Sequence, residues 1–348
     1  MPRESWLAVQ KPLPSARRWP LWALSFLLPL AVWSAVSYVP FLWHPMIKVE
    51  TSGAVTWLKP GTLIEREQFA HQVEQAVAQG GEAPTGGRAN PIYLPAPHRV
   101  GRALYTAFTT KPAIRADVWL HESLWSSIQT IFWGFTLSSL IGVPLGILCG
   151  SFASVSRVTE PFVDFVRYMP APVFGALMVA VWGIYQEPKI AIIFIGTFFQ
   201  QVLVVSNTVR KVDPALIEAA QTLGAKNRHL LMRVIVPASL PDLYNDLRIL
   251  LGWAWTYLIV AEVIGVSSGI TFFINQQAKY RNFENVYAAI FIIGLIGLLT
   301  DQVLGFVGAR LFGWRTLKPS RLRTLWQRFF SDRYITLWPE RVTRKGDV

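Results

Sequence analysis

Lys211–Pro241, KVDPALIEAAQTLGAKNRHLLMRVIVPASLP, is a polar-punctuated segment between two strongly apolar regions, and its reading decides the fold. Asp213 has the side chain of a helix cap, and Pro214 suits the first helical position, where its missing N–H would have no partner anyway. Gly224 falls where a helix C-terminus favours a residue tolerant of positive φ. A second helix is expected from about Lys226 until Pro237 forbids continuation. Small Ala219 and Ala220 allow another surface to approach closely. Glu218, Lys211, Lys226, Arg228 and Arg233 give the segment a charged border. It reads as a docking element made of two short helices with a bend.

The rest of the chain is of a different character. Its 348 residues are 52% hydrophobic and only 16% charged, too few charges to cover a soluble domain of this length. The net charge of +12 concentrates in segments that flank apolar runs, which fits an anionic membrane surface better than nucleic acid. Cys149 is alone, so no intramolecular disulfide exists. No GxxxxGK[ST] occurs, so the chain carries no P-loop ATPase of its own. The histidines at 44, 71, 98, 121 and 229 lack metal-ligand spacing and a nearby nucleophile. No catalytic residue, metal site or cofactor is expected.

Working outward, residues 1–18 are basic, and the uncharged run at 19–44 is long enough to cross about 30 Å of hydrocarbon. It exceeds a usual signal-peptide core and lacks an A-x-A cleavage site, so it reads as a retained first span. Between His44 and Glu122 eight basic residues stand against seven acidic ones, a near balance that suits the translocated side, and residues 45–92 read as an exterior segment. Within them Glu65–Gln79 reads as one amphipathic helix stopped by Gly80-Gly81, and 80–91 as a Gly/Pro-rich linker. Ser123–Ser156 is a charge-free second span in which Gly142, Gly146 and Gly150 recur on one helix face, the spacing that lets helices touch backbone to backbone. Arg157 and Glu160 are expected to mark a short cytoplasmic turn. The third span begins with Asp164 and Arg167 three apart, placed to pair, and is interrupted by Tyr168-Met169-Pro170-Ala171-Pro172.

Gln186–Lys189 is expected as an exterior turn, followed by a fourth span at Ile190–Val209, a fifth at about Leu243–Val266 and a sixth at Val286 to about Leu311. Ile270–Glu284 is too polar to span and is expected at the outer surface. Residues 313–348 form a basic-aromatic tail suited to the inner leaflet. Six spans put both termini in the cytoplasm. Polar and aromatic groups inside spans are candidates for a translocation path: Tyr168, Met169, Gln200, Gln201, Trp253, Trp255 and Thr256. Glu262 and Asp301 are candidates for charge pairs across helices.

Glu218-Ala219-Ala220, followed by Gly224, Ala225, Ile235 and Pro237, resembles the EAA loop of ABC-importer permeases. The likeness spans about residues 93–315. It is closest to the nitrate, sulfonate and taurine group, on Tyr93–Pro97, the Gly142–Gly150 repeat, Arg167–Pro172, Val260–Gly265 and Asp301. The resemblance implies an all-α integral membrane protein of the type I permease fold in the bacterial inner membrane, with a permease core at 93–312. Residues 45–92 depart from the family as an exterior insertion between spans 1 and 2. It further implies two ABC ATPase subunits seated on the 211–241 loop, a second and usually identical permease subunit, and an extracytoplasmic substrate-binding protein that delivers a small anion. ATP hydrolysis would belong to the partner. An ATP-independent channel or carrier is the competing reading, but such folds carry comparable halves and no internal repeat is found. A receptor-like module working through residues 45–92 is a third.

Overall fold

The computed structural model describes residues 15–39, 42–110, 118–264 and 268–313. The basic-aromatic tail beyond Gly313 and most of the basic N-terminal segment lie outside the described residues. Helix dominates, and the described residues of Met1–Leu120 with Phe273–Ile290 form one unit, those of His121–Phe272 with Phe291–Val348 another.

In the first unit, α1 (Ser15–Tyr38) is the first apolar run. It stops before Val39-Pro40 rather than running on to His44, because a residue preceding proline is disfavoured in the α region. Strands β1 (Met46–Thr51), β2 (Leu63–Glu65) and β3 (Thr85–Ala89) follow, with α2 (Arg66–Ala78) between the last two. They form a small antiparallel sheet in the order β2-β1-β3, in which Ile47 faces Ile64 on one side and Arg88 on the other. Val49, Leu58, Ile64 and Phe69 make its core. Gly80, at φ +68°, ends the helical segment as its sequence suggests.

The expected linker at 80–91 is therefore corrected, since part of it is β3. The glycines that suggest looseness are what let β3 lie close on β1: a Cβ on Gly86 would fall 2.6 Å from the Ile47 side chain. Helix α3 (Pro97–Thr109) completes the segment before the second span. Trp33 of α1 stacks on Tyr287, Tyr38 on His98, and the Asn90 amide donates to the Ser37 carbonyl at 2.7 Å.

The second unit is built on α4 (Leu120–Ser151), α5 (Ala153–Arg167), a 3-10 turn at Ala171–Phe174, α6 (Gly175–Trp182) and α7 (Glu187–Val209). After α7 come α8 (Pro214–Thr222), α9 (Asn227–Leu230), a π turn at Leu231–Ile235 and α10 (Val236–Ile264); of the last two helices, α11 (Ile270–Lys279) falls mostly in the first unit, and α12 (Phe283–Leu311) belongs to the second from Phe291 onward. Among the described residues, five helices are long and apolar enough to cross a membrane, or six when α5 and α6, bent by 84° at the proline-rich break, count as one span.

The glycine face of α4 lies on α7. A Cβ on Gly146 would meet the Val202 carbonyl at 2.8 Å, and one on Gly150 the Ser206 carbonyl at 2.7 Å. Gly134 continues the row toward the other end, against Ile193. Without side chains on one helix, the two backbones approach to a distance no larger residue permits.

Three expectations fail here for physical reasons. Arg157 and Glu160 do not mark a turn: the break comes earlier, at extended Phe152, and both residues sit within α5. Gln186–Lys189 is not an exterior turn, because Pro188 occupies the first turn of α7, where its missing N–H costs nothing; Lys189 is helical and 1% exposed. Pro237 does not end the second helix of the 211–241 segment, because the wide turn at Leu231–Ile235 precedes it, and the chain runs as one helical stretch from Asn227 to Ile264. The predicted Asp164–Arg167 pair forms, at 2.8 Å.

Candidate functional site

Helix α8 is closed at both ends by its own sequence. The Asp213 carboxylate accepts from the Ala215 N–H at 2.9 Å, with Pro214 in the first turn. At the other end Gly224 adopts φ +82°, its N–H bonds the Gln221 carbonyl, and the Ala225 N–H reaches back to the Ala220 carbonyl. These two bonds are the Schellman arrangement, which satisfies carbonyls that a helix end otherwise leaves without partners. Ala220, Gly224 and Ala225, singled out in the sequence, are thus three parts of one cap.

One face of α8 turns inward. Ile217 and Ala220 pack, with Val212, against Val205, Val209, Leu230, Ile235 and Leu243. The opposite face is bare: α8 has no buried residue, Leu216, Glu218 and Ala219 are exposed, and Leu223 is 88% exposed. Leu216, Ala219 and Leu223 share that face at helical spacing. Pro237 is also exposed.

Just upstream, the end of α7 is held from two sides. Glu160 of α5 accepts from Ser156 at 2.9 Å, from Ser206 at 2.7 Å, and from Arg210 in an ion pair. Arg210 also donates to the Ser156 hydroxyl at 2.8 Å. On the other side Thr208 donates to Asp246 of α10 at 2.5 Å. Sequence reasoning missed Ser156, Ser206, Arg210 and Asp246. Arg210 and Glu160 are fifty residues apart, and no local spacing connects them.

The candidate path residues separate. Tyr168 and Met169 stand at the 84° break, Tyr168 being 75% exposed. Trp253 and Thr256 lie exposed on α10, Gln200 is half-buried, and Trp255 packs half-buried against Ile131, Ile193, Ala254 and Leu258. Gln201 is corrected: it is fully buried, accepts from Ser138 at 2.9 Å and donates to Ser139 at 3.0 Å, both on α4. Its amide fastens two spans where the glycine row is interrupted by serine.

Asp301 pairs with Arg248 at 3.2 Å, as a charge inside a span should. Glu262 takes a different arrangement. It accepts from the Ser127 hydroxyl and from the Thr271 N–H at 2.7 Å, while Ser127 accepts from the Ile270 N–H at 2.8 Å. Buried Lys189 donates to the Ser268 carbonyl at 2.8 Å and lies within electrostatic reach of Glu262.

Comparison with known proteins agrees with this architecture. The family described as "Binding-protein-dependent transport system inner membrane component" matches residues 142–313, from the middle of α4 past the end of α12. A putative ABC transporter permease protein of Methanocaldococcus jannaschii is 34% identical over 229 residues, which is 66% of this chain and 85% of that protein. The taurine transport system permease protein TauC of Escherichia coli is 31% identical over 225 residues, 65% of this chain and 81% of that one. A chain of the inward-facing MetNI methionine ABC transporter matches with a TM-score of 0.50 and 20% identity, over 58% of this chain and 99% of that chain, a likeness of fold alone. A glycine-seamed set of membrane helices, a capped surface helix between two of them, and kinship over most of its relatives' length make this chain a permease subunit of the ABC-importer family.

Proposed function

We propose that this chain forms half of the pore of an ATP-driven importer in a bacterial inner membrane. The other half is a second copy, and two ATPase subunits sit beneath them on segment 211–241. The observation that carries this reading is α8, capped at both ends, packed from behind, and bare on the Leu216–Ala219–Leu223 face. An apolar stripe edged by Glu218 and by the basic groups of 211–233 suits the groove of a soluble partner better than lipid. Glu218, Ala219, Ala220, Gly224, Ala225 and Pro237 serve this coupling, and ATP hydrolysis belongs to the partner. Both termini are cytoplasmic. The 45–92 subdomain lies outside, where a substrate-binding protein docks. Tyr168, Met169, Gln200, Trp253, Trp255 and Thr256 remain the candidates for the path.

The substrate class follows from kinship. Similar permeases are named for taurine, aliphatic sulfonates, nitrate and bicarbonate, all carrying a small oxyanion group. A small oxyanion delivered by the binding protein is the proposed cargo. Binding measurements on that protein with sulfonates, nitrate and bicarbonate identify it, and exclusive affinity for a cation would reject the class. Co-purification of the ATPase with the parent chain, and its loss on Glu218→Lys, tests the coupling. Intact complexes with normal ATP hydrolysis in the Glu218→Lys protein would remove the segment from the mechanism.

A further inference from the structure

We propose that the Glu160–Arg210 network is where movement of the coupling segment enters the broken third span, making α5 a lever that acts on the bend at Tyr168–Pro170. This rests on segment 211–241 being the ATPase seat. The end of α7 is joined to α8 by a very short link. The Lys211 and Val212 N–H groups bond back to Thr208 and Val209 at 3.1 and 3.2 Å, so the link is itself a turn of the helix end. A push on α8 therefore displaces Arg210.

Arg210 is fastened to α5 and not merely packed on it. Its guanidinium holds Glu160 and the Ser156 hydroxyl, and Glu160 holds the Ser206 hydroxyl of α7 in turn. Apolar contacts between the same helices, such as those of Val163 with Val202, could slide by an ångström at little cost. Charge-assisted bonds are directional and fix register, so α5 must follow α7. From Glu160 to Arg167 the helix continues for about 10 Å; Pro161 removes one backbone donor at its start, and the helical turns after it carry the displacement onward. Beyond it Pro170 and Pro172 remove backbone donors, and the chain turns by 84°. The lever thus ends where two candidate path residues, Tyr168 and Met169, stand. Glu160 and Arg210 are positioning residues: they touch no substrate.

The experiment uses the full chain carrying Cys149→Ala and Met169→Cys, purified in lipid nanodiscs with the ATPase that accompanies it. The rate at which a maleimide modifies position 169 is measured without nucleotide and with Mg–AMP-PNP. The expected result is a several-fold nucleotide-dependent change in this reference, its loss in E160Q and R210Q with the ATPase still bound, and its partial return in E160R/R210E. Should E160Q fail to assemble, S206A removes a single bond of the same carboxylate and supports the same comparison. A change undiminished in the assembled single variants overturns the lever, as does a reference complex whose position 169 ignores nucleotide. Failure of the ATPase to accompany the reference chain overturns instead the coupling reading beneath it.

Discussion

Val205 occupies the space that a side chain on Gly146 would need: a Cβ there would lie 2.7 Å from the Cβ of the valine. The neighbouring obstacle is the backbone carbonyl of Val202, at 2.8 Å, which no rotamer change can clear. At Gly142 the nearest atoms are the Gln201 and Phe198 side chains at 3.2 and 3.3 Å, which can yield by a few tenths of an ångström.

Gly146→Ala is therefore expected to lower stability more than Gly142→Ala, and Gly146→Leu to cost about 2–3 kcal/mol or more as α4 is forced off α7. Thermal unfolding of the detergent-solubilised protein, followed by size-exclusion recovery, measures the order. Equal midpoints for the two alanine variants would contradict the close contact.

Gly224 poses a purely backbone requirement, because nothing lies within 4 Å of where its Cβ would be. At φ +82° an L-residue costs about 1–2 kcal/mol, a β-branched one more, and asparagine least. Gly224→Val should lower recovery of the ATPase complex strongly and Gly224→Asn weakly, while the thermal midpoint of the isolated permease falls only by the modest amount that this local backbone cost implies. Complex recovery on an affinity resin decides it, and equal recovery of both variants counts against the cap.

Gln79 lies exposed beside the turn that ends α2, and Cys149 is only 1% exposed. A Gln79→Cys protein thus carries one reactive thiol, and the native cysteine stays silent. In intact cells with a permeabilised outer layer, an impermeant maleimide is expected to label it from outside. Labelling only after lysis would invert the proposed topology.

Glu262 and Lys189 are both buried, and removing one leaves the other uncompensated. Glu262→Ala is expected to cost about 3–5 kcal/mol, whereas Glu262→Leu with Lys189→Met recovers much of that. Gly269→Ala should mimic the first change, since its φ is +109° and its Cβ would strike the Glu262 carboxylate. Thermal midpoints of the parent and the three variants make the comparison; a double variant no better than Glu262→Ala would show that the charges do not compensate each other.

What could be read in the sequence was whatever is encoded within a few residues. The Asp213 cap, the Gly224 turn, the Asp164–Arg167 pair and the glycine row are all consequences of spacing on one helix. What could not be read depends on residues far apart. Lys189 looked like a turn residue because its acceptor, Ser268, lies seventy-nine positions away. Gln201 looked like a pore residue because the serines that satisfy it belong to another span. Thr85–Ala89 looked like a linker because its glycines have meaning only beside β1.

The π turn at Leu231–Ile235 sets how the stretch between α8 and α10 responds to a change in chain length. A widened turn holds one residue more than an α-helical one, and each residue of an α-helix sweeps about 100°. Deleting one of the five would let an ordinary α-helical turn close over the same full rotation, whereas a deletion in the α-helical stretch after Val236 would rotate everything upstream by roughly that angle. After such a deletion in α10 the bare face of α8 would point sideways with every contacting residue still present, so a gap that the wide turn absorbs is one that α10 does not.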